Sequence, residues 1–144
     1  MDLIKFLRAR LDEDAEAAHT WPDDQRHWTE RGSRNLDYAS GSSESVSAIS
    51  VGGSGPLGWE RIYVKRDVAH LSLHIARHDP ARVLAEVDAK RQMIDEYARN
   101  AEAAEAEQCP NEWNGGIDKL GHFVLPLLAL PYADHPDYRD EWRP

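Results

Sequence analysis

The sequence predicts an α+β fold: a small helical domain of about four helices with a β-hairpin packed against it. Three observations carry that expectation. Apolar residues recur at three- and four-residue spacing over residues 2–19 and 80–107, the period of an amphipathic helix. Two short runs, residues 45–51 and 59–65, flank Gly52-Gly-Ser-Gly-Pro-Leu-Gly58, which is turn chemistry between strands. A strongly apolar stretch, residues 117–133, is interrupted by Pro126 and Pro131 and is too short to span a membrane.

Taken in order, the N-terminal helix places Leu3, Ile4, Leu7, Leu11, Ala15 and Ala18 on one side, with Asp2 as its cap and Trp21-Pro22 as its stop. Residues 22–43 read as polar and irregular, with Trp28 as the one large apolar anchor on a short strand from His27 to Glu30. In the hairpin region 45–65, Ile62 and Val64 alternate with Arg61, Tyr63 and Lys65. The alternation of Val46, Ala48 and Ser50 with Ser47, Ile49 and Val51 leaves the inward face of that strand open. A two-stranded hairpin alone is marginal in water, so it must pack on helices, and Trp28 and Trp59 are the expected gaskets.

A helix corner occupies residues 67–107. Asp67 caps a helix through Val68, Leu71, Leu73 and Ile75. Asp79-Pro80 starts a second one: the carboxylate accepts first-turn N–H groups, and proline suits the first helical position. The residue before a proline is disfavoured in the α region, so the two helices meet at His78-Asp79 rather than running on as one rod. The second helix carries a stripe of Val83, Leu84, Val87, Ile94, Tyr97, Ala98, Ala101 and Ala104, and its Ala/Glu-rich far end buries little. Residues 117–133 are expected to form the central core helix. Tyr132, Tyr138 and Trp142 then dock the C-terminal tail on the body. A single domain, residues 1–144, is the expectation from length.

The net charge of −9 argues against non-specific binding to nucleic acid, because like charges repel and no counterions are released. There is no run of about 18 apolar residues and no apolar signal core after Asp2, and Cys109 alone excludes an internal disulfide. A cytoplasmic location is therefore expected.

His70, His74 and His78 are spaced i, i+4, i+8. Two imidazoles four apart on a helix share a face and can hold one divalent transition metal, with the third at the corner completing the set. Histidines near a helix C-terminus are also favoured by its dipole and need no ligand. No Glu follows His70 or His74, so the zinc-protease HExxH pattern is absent; His78-Asp79 has the dipeptide of HD phosphohydrolases, but Asp79 before Pro80 is better suited to capping. The glycine-rich turn fits neither GxGxxG nor the P-loop.

Two stretches, His74-Ile-Ala-Arg-His-Asp-Pro-Ala-Arg-Val-Leu84 and Leu128-Ala-Leu-Pro-Tyr-Ala-Asp-His-Pro-Asp-Tyr-Arg-Asp-Glu-Trp-Arg-Pro144, together with the Leu3–Asp14 helix, resemble a family of small uncharacterised proteins from actinobacteria and their phages. The resemblance implies a bacterial or phage setting and carries no established activity. It also implies additional cysteines before the tail, of which this chain has Cys109 alone.

With no complete catalytic motif, no catalytic residue is assigned. The expected function is that of a cytosolic accessory protein acting by protein–protein binding, to a partner or to a second copy, through Trp28, Trp59, Tyr132, Tyr138 and Trp142. One alternative is a metal-dependent hydrolase or nuclease using His70, His74 and His78 with Asp134 or His135. Another is a nucleic-acid-binding regulator using the locally basic corner of Lys65, Arg66, Arg77, Arg82, Lys90 and Arg91, against which the overall charge weighs.

Overall fold

The first element forms as its periodicity predicts, α1 over Leu3–His19, in a computed structural model that describes residues 2–37, 39–52, 60–65, 71–107, 116 and 119–144. The fold is α+β, with four α-helices and a three-stranded antiparallel sheet among the described residues. The chain divides into two compact units, Met1–Ala15 with Glu86–Pro144, and Glu16–Ala85.

In the first unit, Asp2 Oδ1 accepts the Lys5 N–H at 2.8 Å, and that bond holds the Asp2 carboxyl below its ordinary range. Phe6, Leu7, Leu11 and Ala15 bury the apolar stripe of α1. The long helix, α3 over Pro80–Glu107, buries Val87 and Ile94 completely or nearly so. Arg8 pairs with Asp95 at 2.7 Å and Asp12 with Arg91 at 2.6 Å. Four residues forward on α1 correspond to four residues back on α3, so the helices run antiparallel. These pairs are exposed and each contributes about 0–1 kcal/mol; they fix register, while the apolar stripes supply stability.

The apolar stretch near the C-terminus departs from expectation. It is not one core helix but a π-turn over Leu120–Val124, a short helix α4 over Leu125–Ala129, and a 3-10 turn over Leu130–Tyr132. The Leu125 N–H bonds the Leu120 carbonyl, five residues back, immediately before Pro126, which has no N–H to donate. The widened turn and the five-residue helix present a narrow inner face. Leu125, Pro126 and Ala129 are buried there, whereas Leu120, Phe123, Leu127 and Leu130 are exposed. Gly121 lets Tyr97 pack close: a Cβ at this position would lie 2.5 Å from the Tyr97 hydroxyl oxygen, so any larger residue makes that ring shift.

In the second unit, the sheet order is β1(Trp28–Asp37), β2(Ser43–Val51), β3(Glu60–Lys65), each neighbouring pair antiparallel. The expected hairpin is therefore a three-stranded meander, because residues 28–37 form a full strand where the sequence reads as irregular beyond Glu30. An edge strand is held by backbone bonds to one neighbour and need not carry apolar alternation. A bulge interrupts it between Glu30 and Ser33, with Gly32 at φ 75° and its N–H bonded to Glu30 Oε1 at 2.6 Å. The central strand β2 is buried from Val46 to Val51, on both faces, which is why its sequence does not declare an inward side.

Register places Trp28, Val51, Ile49 and Ile62 on one face. A core of Ile49, Val64 and Ala76 is flanked there by Trp28, Ile62 and Ile75, so the short helix α2(Leu71–Arg77) covers this face. The corner forms as predicted, with α2 ending at Arg77 and α3 beginning at Pro80. Asp79 sits between them, its Oδ1 accepting the Arg82 N–H at 2.8 Å and its Oδ2 the Trp28 N–H at 3.1 Å. The expected cap at Asp67 and the turn residues 53–58 lie outside the described residues.

Candidate functional site: an apolar groove beside the long helix

The residues singled out from sequence are dispersed. His70 and Trp59 lie outside the described residues. His74 and His78 do share a helical face, with ring centroids 4.3 Å apart and planes at 37°. His78 Nδ1 donates to the His74 carbonyl at 2.9 Å. Among the described residues, no group of three His, Cys, Asp or Glu side chains converges to hold a metal. Asp79, the carboxylate nearest in sequence, is 14% exposed and is already engaged by two backbone N–H groups, so it serves the corner and the start of β1.

Trp28 packs edge-to-face on Trp21 at 5.0 Å, and its indole N–H donates to the Gln25 carbonyl at 2.9 Å. Tyr132, Tyr138 and Trp142 surround Phe6 at centroid distances of 6.4, 5.9 and 4.9 Å. The Arg10 guanidinium lies over the same Phe6 ring at 5.4 Å, against the His135 imidazole, and bonds Glu13 at 2.6 Å. Tyr132 donates to Asp14 Oδ2 at 2.5 Å; burial, then that bond, raises its phenol well above the ordinary range. This cluster ties the tail to α1 within the first unit. Phe6 is fully buried and Trp142 is only 8% exposed, so most of its aromatic surface is engaged internally.

The open surface lies elsewhere in that unit. A groove of about 980 Å³ runs beside α3 from Ala89 to Glu102 and is closed on its other side by Leu120, Val124 and Leu125. Its apolar lining comes from Met93, Tyr97 and Ala98 on α3 and from Leu120, Val124 and Leu125. Its charged groups are exposed and largely paired, Arg8 with Asp95 at 2.7 Å and Arg99 with Glu96 at 2.5 Å, and Glu102 stands at the end of the row. Leu120 continues from the groove into the exposed series Leu120, Phe123, Leu127, Leu130. Phe123 is 60% exposed, an unusual position for a phenylalanine in a folded chain.

Sequence reasoning assigned these residues to a core and missed them as a surface. The signal was present as a 3-4-3 spacing, the a/d pattern that marks one face of a helix. That pattern identifies an apolar face without saying whether the chain itself covers it.

No curated protein and no solved structure matches the chain. A family model does match, over residues 1–144, and the chain belongs to that family, described as a family of unknown function, DUF6221.

Proposed function

We propose that this protein is a non-enzymatic accessory protein that acts by binding another protein in the groove beside α3. The observation that carries this reading is the exposed series Leu120, Phe123, Leu127 and Leu130, joined through Leu120 to a groove lined by Met93 and Tyr97. Large apolar side chains exposed in this number beside an apolar-lined groove are costly to leave in water and suit a contact site. The setting we propose is the cytoplasm of a bacterium or of a phage-infected host, which rests on the motif resemblance and the sequence composition.

The test compares capture by wild type with capture by Leu120→Asp and Phe123→Asp, both surface positions whose variants should keep the wild-type circular dichroism. A partner retained by wild type and by a control variant such as Lys5→Ala, but lost by both Asp variants, supports the reading. An identical captured set with all variants refutes it.

A further inference from the structure

We propose that the occupant of the groove is a basic amphipathic helix of a partner protein, with apolar residues at i, i+3, i+7 and i+10 and Lys or Arg on either side of them. This inference rests on the docking reading above and adds the chemistry of what docks.

The shape argument concerns the backbone. Both walls of the groove are helical segments, α3 and the Leu120–Leu125 turn and helix start, and they present side chains rather than a sheet edge. An extended peptide would gain no sheet-edge hydrogen bonds from such walls, whereas a helix satisfies its own backbone groups and offers an apolar stripe to them. The row from Ala89 to Glu102 on α3 corresponds to about 20 Å at 1.5 Å per residue, which matches three to four turns of an incoming helix.

The charge argument is sharper. The unit holding the groove contains 17 Asp and Glu against 9 Lys and Arg, so it carries −8 of the chain's −9. The other unit, with 9 acidic and 8 basic side chains, is nearly neutral. At the groove itself, Arg8 and Arg99 are engaged by Asp95 and Glu96, and Glu102 adds a further negative charge. A second copy would bring the same −8 to the contact, and nucleic acid or an anionic bilayer would meet the same field. A helix with cationic flanks both covers the apolar lining and complements the field, which raises the association rate and discriminates against neutral or acidic helices.

The test uses the full chain and three fluorescein-labelled 18-residue peptides, read by fluorescence anisotropy. The first has leucine at the stated spacing with lysine flanks, the second has the same leucines with glutamate flanks, and the third scrambles the first. The expected result is binding of the first alone, weakened about tenfold between 0.05 and 0.3 M salt by screening. Glu102→Lys should weaken it severalfold, and Leu120→Asp should abolish it. Failure of the lysine peptide to bind, equal binding of the glutamate peptide, or equal binding of the scrambled one overturns the inference. Self-association in sedimentation that Leu120→Asp removes also overturns it, since the occupant is then a second copy. These outcomes are separable from the capture experiment: a partner lost with Leu120→Asp while the lysine peptide fails leaves the groove as a docking site and removes only the basic helix.

Discussion

Replacing Asp79 with alanine tests the corner on which the second unit turns. The carboxylate accepts two backbone N–H groups, Arg82 at 2.8 Å in the first turn of α3 and Trp28 at 3.1 Å at the start of β1. Loss of an N-cap of this type costs about 1 kcal/mol. Leaving a part-buried N–H without its acceptor costs about 1–3 kcal/mol, toward the low end for Trp28 because a strand end can still reach water. The expected destabilisation for Asp79→Ala is therefore about 2–3 kcal/mol. Asp79→Asn keeps one acceptor oxygen and should lose about half as much. Urea unfolding followed by tryptophan fluorescence gives the free energies, and amide hydrogen exchange at Trp28 and Arg82 localises them. A loss below about 0.5 kcal/mol, within the range of ordinary surface substitutions, or unchanged exchange at both amides, would refute the double role.

Three further outcomes follow from the first unit. Gly121→Ala should destabilise by about 1–3 kcal/mol through overpacking on Tyr97, and shortening that side chain in Gly121→Ala/Tyr97→Leu should recover part of the loss; full wild-type stability of the single variant would contradict the contact. Phe6→Ala should cost about 3–5 kcal/mol and expose the tail after Tyr132 to limited proteolysis, and a tail as resistant as wild type would show that the aromatic cluster does not hold it. The phenol of Tyr132 is raised in the folded state, so its contribution is complete below the unfolded tyrosine value near 10 and is lost as pH climbs toward the folded value. Stability should thus fall on going above about pH 10, with Tyr132→Phe flattening that fall; the same slope in both proteins would remove Tyr132 as its source.

The two helical stripes and the corner were legible because their signals are local. Leu3, Leu7 and Leu11, or Val87 and Ile94, recur at a helical period, and Asp79-Pro80 is a cap and start in two residues. The aromatic tie of the tail was legible in composition, but its anchor on Phe6 was not, since nothing local links residue 6 to residue 142. Strand β1 was legible only from His27 to Glu30, and its continuation to Asp37 was not, because an edge strand is specified by its neighbour's backbone rather than by its own side chains. Ser47 and Ser50 are buried for a different reason: β2 is the central strand and is covered on both faces, where small polar residues fit.

The candidate site divides along the same line. Sequence alone determined that residues 117–133 are strongly apolar and that acidic residues outnumber basic ones, since both are properties of residue type. Which apolar residues are covered depends on surfaces brought together across the chain. Only the tertiary structure, with a π-turn ahead of Pro126 and α3 packed alongside, decided that Leu125 and Ala129 turn inward while Leu120, Phe123, Leu127 and Leu130 are exposed.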